Sequence, residues 1–197
     1  MRVILLILLT AVSSFAQMRQ VIPMTVPGSD IVIQNPHPSP STVSIAFESA
    51  KRTVTIAGYT TARFPSREYG YVLVESSIPI AAWTTIDNVL FTGVQLTTQH
   101  RALTVSANTG VTIANPWSEK VRMTVWKYDA TGGTLGYRNY TLPAGKTLVG
   151  FVQDIFGITD GVQIAILTER PIAVGAADCS PECVMLPIQA VGVEQSQ

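Results

Sequence analysis

Catalysis needs a nucleophile, a proton-transfer group and something to orient them, and this chain offers few such groups. It has two histidines, His37 and His100. His37 sits in Asn35-Pro36-His37-Pro38-Ser39-Pro40, and His100 follows Thr97-Thr98-Gln99 in what reads as a surface turn. Neither has a partner motif. Glycoside hydrolysis would need two carboxylates across one cleft. The acidic residues, Asp30, Glu48, Glu75, Asp129, Asp154, Asp160 and Glu169 among them, are instead scattered over strand ends. Calcium would want several oxygen ligands in one loop, and Asp154 and Asp160 lack the alternating spacing of such a loop. The sequence therefore assigns no catalytic residue, no metal ligand and no cofactor.

Aromatic and sulfur chemistry is better represented. Val121, Met123 and Val125 alternate with Arg122, Thr124 and Trp126, the period of a half-buried strand. With the first set facing a core, Arg122, Thr124, Trp126 and Tyr128 point away from it. An exposed Trp and Tyr two residues apart could stack on a sugar ring or on a partner protein. The competing reading packs this face against a neighbouring loop or module, with Arg122 lying over a ring. Trp117, just after Asn115-Pro116, reads as cover for the end of a sandwich, and it joins Trp126, Tyr128 and Arg122 as a candidate contact residue. Trp83 reads as core or as an intermodule contact. Cys179 and Cys183 flank Ser180-Pro181-Glu182. Fully extended, that spacing would hold the α-carbons roughly 13 Å apart, so a disulfide requires a turn there, which Pro181 favours. A redox pair or half of a metal site is the weaker alternative, because a second ligand pair is missing.

What must position these groups is a β scaffold written twice. Asp30-Ile31-Val32-Ile33-Gln34-Asn35-Pro36 and Gly110-Val111-Thr112-Ile113-Ala114-Asn115-Pro116 are both short apolar runs stopped by Asn-Pro. An alternating strand follows each, at Val43, Ile45 and Phe47 and at Val121, Met123 and Val125. Ala57-Gly58 is then answered by Ala144-Gly145, Phe64 by Phe151, and Ile78-Pro79-Ile80-Ala81 by Arg170-Pro171-Ile172-Ala173. An ordered set of landmarks of this kind marks an internal repeat. In the first copy, residues 69–75 and 80–86 read as separate strands. In the second, Asp129-Ala130-Thr131-Gly132-Gly133 reads as a hairpin loop, and residues 152–156 as a single helical turn before Gly157. About seven short strands per copy imply an all-β fold of two tandem Ig-like antiparallel sandwiches arising from duplication. One barrel built from both copies is the competing architecture. The expected boundaries are a signal peptide at 1–16, a first module at 17–87, a second at 88–192 and a tail at 193–197.

Composition agrees with this scaffold and bounds the partners. Hydrophobic residues are 47% of the chain and charged residues 13%, which excludes a disordered chain. Thirteen basic and thirteen acidic residues cancel, leaving no basic field for nucleic acid. Arg2, the apolar run at residues 3–9 and the small residues around Ser14-Phe15-Ala16 read as an export signal cleaved before Gln17. That run is too short to span roughly 30 Å of hydrocarbon as a helix, so the mature chain is expected to have no membrane span and to be secreted or periplasmic.

Residues 110–116, 121–129 and 141–146 with Pro171-Ile172-Ala173 resemble a secreted bacterial β-sandwich repeat of acidobacteria-like proteins, found in tandem and without assigned catalysis. The resemblance implies an Ig-like fold and export, and it carries over no active site. The first copy departs from the repeat: Ile56-Ala57-Gly58 stands where the repeat has Leu-Pro-Ala-Gly. The expectation is an exported, non-catalytic structural or interaction module with a protein or glycan partner. The alternatives are a carbohydrate-binding module using Trp126 and Tyr128, and a small hydrolase.

Overall fold

The computed structural model describes residues 17–159, 161–179, 183–186 and 188–190. The expected signal peptide and tail lie outside them. The described residues are all-β and form two compact units, divided between Gln95 and Leu96. In the first, β1 (Gln17–Thr25), β2 (Asp30–Gln34), β3 (Ser41–Ala46), β4 (Lys51–Ile56), β5 (Thr61–Pro65), β6 (Gly70–Ile86) and β7 (Val89–Thr92) are all antiparallel. One layer runs β4-β3-β6-β1 and the other β5-β2-β6-β7. The second unit repeats this plan with β8 (Thr97–Val105), β9 (Thr109–Ala114), β10 (Val121–Tyr128), β11 (Thr134–Leu142), β12 (Thr147–Phe151), β13 (Val162–Cys179) and β14 (Cys183–Met185), and adds β15 (Ile188–Ala190) beside β8. Apart from β15, the two tandem Ig-like sandwiches are thus twins, strand for strand.

The boundary lies later than the composition suggested. Residues 89–91 were expected to open the second module, yet β7 is the hairpin partner of β6. Asp87 and Asn88 both take positive φ, 48° and 66°, the two-residue turn that returns a twisted strand onto its neighbour. The first module therefore extends to Gln95.

A second correction concerns Pro79 and Pro171. Residues 69–75 and 80–86 are not separate strands: β6 runs through both. Its first half pairs with β1 and β3, and its second half with β2 and β7. β13 does the same, pairing first with β8 and β10 and then with β9 and β14. Each proline sits where the strand changes layer and its ladder is interrupted, the place where a missing N–H costs least.

Two buried polar side chains secure each copy. Asn35 is fully buried; its Nδ2 donates to the carbonyls of Ser39, Ile56 and Ala57, and its Oδ1 accepts from the His37 N–H. Asn115 repeats this at Glu119, Leu142, Pro143 and Trp117. The Asn-Pro stop therefore also ties the end of one layer to the strand leaving the other. The second device is Gln20, whose Nε2 donates to the Ile80 carbonyl just past the layer change. Its twin by register is His100, which faces Ile166 as Gln20 faces Val74. His100 is 4% exposed, inside β8, and this corrects the expectation of a surface turn.

The repeat is also offset by one at its glycine turn. Tyr59 N–H donates to the His37 carbonyl, and Gly145 N–H to the Trp117 carbonyl. The twin of Gly145 (φ 61°) is thus Tyr59 (φ 56°), and the twin of Gly58 is Ala144. Gly58 is required for another reason: a Cβ there would run into the Pro38 carbonyl and come within 2.9 Å of the His37 oxygen. We expect Gly58→Ala to cost about 2 kcal/mol, since backbone must move, and Tyr59→Gly to be neutral or to stabilise by about 0.5–1 kcal/mol, because it relieves a left-handed non-glycine. Urea midpoints of the two variants against wild type measure both.

Phe64 and Phe151 are likewise not twins. Phe64 pairs with Ile31 and is buried, whereas Gly150 takes that register position opposite Val111 and Phe151 is exposed. The space over Gly150 is filled by Ile155 from α1 (Val152–Phe156), the expected helical turn, which ends at left-handed Gly157. Val152 and Phe156 of α1 enter a core of Val111, Ile113, Met123, Val125, Ile164 and Ile172, with Tyr140 set edge-on to Phe156.

Candidate functional site

The outer face of the second unit's β11-β10-β13 layer carries the candidate contact residues of β10. Alternation on β10 sends Val121, Met123 and Val125 into the core and leaves Arg122 exposed and Thr124, Trp126 and Tyr128 half-buried on the other side. The hairpin that sets this face closes at Asp129, whose Oδ1 accepts from the Thr131 hydroxyl at 2.7 Å and from the Thr131 and Gly133 N–H groups at 2.8 Å. The Thr131 hydroxyl first, and then these amides, hold its carboxyl below the ordinary carboxylate range.

After the loop the register slips by one residue at Lys127/Tyr128. This bulge leaves Leu135 exposed and brings Tyr137 directly opposite Trp126. The two rings lie 4.7 Å apart, tilted by 36°, and Tyr137 is 58% exposed. On the other side of Trp126 the register partner is Ala165, so no bulky side chain stands directly opposite the indole on that strand. One rung away, the Thr124 hydroxyl donates to Asn139 Oδ1 at 2.8 Å, and Leu167, also exposed, stands beside Thr124. The ring that meets Trp126 is thus Tyr137, across the ladder, while Tyr128 lies two residues along β10, half-buried.

The first unit has the same lattice without the aromatics. Matching the ladders, Trp126, Tyr137, Ala165 and Leu167 correspond to Ala46, Lys51, Leu73 and Glu75. Glu75 there is paired with Arg19 at 3.3 Å. The scaffold folds with either set.

The remaining candidates have other roles. Arg122 is exposed at the end of the face, and its backbone N–H donates to Glu169 Oε1 at 3.0 Å. Trp117 packs on the core, and its Nε1 donates to the Pro171 carbonyl at 2.6 Å, covering the sandwich end. Trp83 lies opposite Val32 on the outer face of the β5-β2-β6-β7 layer, half-buried. Cys179 and Cys183 form the disulfide, paired across the β13–β14 hairpin with α-carbons 3.8 Å apart.

Burial lowers the His100 pKa to about 4, against the upward pull of the Thr97 and Ile172 carbonyls. Among the described residues, no three His, Cys, Asp or Glu side chains gather as a metal-ligand set.

No family model and no curated protein matches the chain. Two solved structures are similar: a beta-glucuronidase from glycoside hydrolase family 2 (10% identity, TM-score 0.21) and Bacteroides uniformis beta-glucuronidase 2 bound covalently to cyclophellitol-6-carboxylate aziridine (13% identity, TM-score 0.20). The alignments cover 85% and 87% of this chain but 23% and 25% of theirs. The chain thus spans about a quarter of each neighbour, and at these TM-scores the likeness carries no argument about activity.

Proposed function

We propose that this is an exported, non-catalytic β-sandwich protein that acts by contact, at the cell envelope or outside the cell, through the outer face of its second unit. The supporting observation is the difference between the twins. One lattice carries Ala46 and Lys51, the other Trp126 and Tyr137, so the aromatic pair is not a demand of the fold. Rings held on a rigid sheet lose little freedom on binding. Export is supported by the apolar leader and by the Cys179–Cys183 bridge, since such bridges persist in oxidising compartments. No helix among the described residues is long and apolar enough to cross a membrane. The non-catalytic reading is supported by the inward-facing, neutral His100 and by the scattered carboxylates. We expect purified residues 17–197 to turn over no glycan, peptide or ester. Turnover that survives successive columns and is abolished by a single substitution would replace this reading with that of a small hydrolase.

A further inference from the structure

We infer that the outer face of the second unit binds a neutral polysaccharide, a pyranose ring stacking on the Trp126–Tyr137 pair; this rests on the contact reading above. Charge is the first argument. On the outer face of β11, β10 and β13 the central positions are Tyr137, Asn139, Thr124, Trp126, Ala165 and Leu167, none of which is ionised, while Arg138 and Lys127 alternate to the opposite face, in register with Val125 and Ile164. Formal charges stand at the ends, Arg122 and Glu169 at one and Asp129 at the other. The backbone of Arg101 pairs with Ala165 from β8, two strands from Trp126. The twin face has Lys51 and the Arg19–Glu75 ion pair at these places. A polyanion would need cations on the platform and a cationic partner would need carboxylates, and the second unit has neither there.

The chemistry on the platform suits a polyol. A pyranose presents one face of C–H groups, which an aromatic π face attracts, and a rim of hydroxyls. The Thr124–Asn139 pair lies one rung from the rings, about 7 Å along the strand, and its amide N–H and hydroxyl lone pairs are within reach of that rim. Ala165 leaves space beside the indole for the next sugar. The platform is also small: six side chains fall well short of the roughly 20–30 residues per side of a stable protein interface.

The test is partition of the full mature chain between solution and insoluble cellulose, chitin or xylan. The comparison is a double variant, Trp126→Ala with Tyr137→Lys, which restores the first unit's own Ala46 and Lys51 and so keeps a surface this scaffold already bears. Circular dichroism should be unchanged. Wild type is expected to be depleted by at least one polymer and released by its soluble oligosaccharide, with retention of the variant weaker by roughly tenfold. Equal retention of the two proteins overturns the inference, and so does wild type remaining in solution with all three polymers. If unretained wild type sediments as a dimer that the double variant dissolves, the glycan is overturned and the face is an interface between copies. The contact reading itself then stands, since only turnover would remove it.

Discussion

Asn115→Asp is expected to destabilise the second unit by about 4 kcal/mol at pH 7, the cost of a buried charge without a partner. Asn115 is completely buried, and its Nδ2 faces three carbonyl oxygens, of Glu119, Leu142 and Pro143. A carboxylate has the same shape but only acceptors, so the variant loses these bonds and sets oxygen against oxygen. Only the protonated acid is tolerated, and the new carboxyl should titrate well above the roughly 3.9 of an unfolded Asp. The unfolded chain then ionises before the folded one does. The penalty should therefore grow as pH rises from about 4 and shrink on acidification. Asn115→Ala removes the bonds without adding charge and should cost about 2 kcal/mol with little pH dependence. Asn35→Asp, in the identical arrangement of the first unit, should behave as Asn115→Asp does. Urea unfolding at pH 4.5 and 7 decides: an Asp variant as stable as wild type at pH 7 would show that this amide does not hold the layers.

Acid should weaken the second unit through His100. The unfolded imidazole takes up its proton near pH 6.5, whereas the buried ring resists until about pH 4. Between those values the unfolded state binds more protons, so stability is complete above about pH 6.5 and falls as pH drops through the window. The folded and unfolded imidazoles differ by about 2.5 pH units, and at about 1.4 kcal/mol per unit the loss is on the order of 3 kcal/mol. His100→Gln, which copies Gln20 of the first unit, should flatten this slope while leaving stability at neutral pH little changed. Urea midpoints at pH 7, 5.5 and 4 for the two proteins measure it, and parallel curves would remove His100 as the cause.

These residues also show how far the sequence was legible. The duplicated Asn-Pro stops were visible, and they report a real structural twin. What the stops do was only half visible, because the Asn amide bonds carbonyls on a strand more than twenty residues away. His100 was misplaced because Thr97-Thr98-Gln99-His100 is polar throughout, and polar strings usually mark turns. The usable signal was Gln20, polar and buried at the same distance before Asn35 as His100 stands before Asn115. Tyr137 was missed for a geometric reason: continuing the Asp129–Gly133 loop without a bulge pairs Trp126 with Gly136, and a one-residue slip turns every later side chain over. The single-residue offset at Tyr59 and Gly145 has a related origin, since a left-handed position is most easily recognised when glycine fills it. The late boundary was hidden by β7, whose apolar Val89, Leu90 and Phe91 could have served either module equally well.

The strands that change layer at Pro79 and Pro171 affect how each unit can deform. In a sandwich assembled from separate sheets, the two plates are coupled by side chains alone and can slip along their greasy interior. Here one backbone belongs to both plates, as the spine of a book belongs to both covers. Sliding would have to stretch covalent bonds, and opening would have to crease the ribbon at its proline. The aromatic platform is built on one such ribbon, β13, and therefore takes its stiffness from the opposite layer as well as its own.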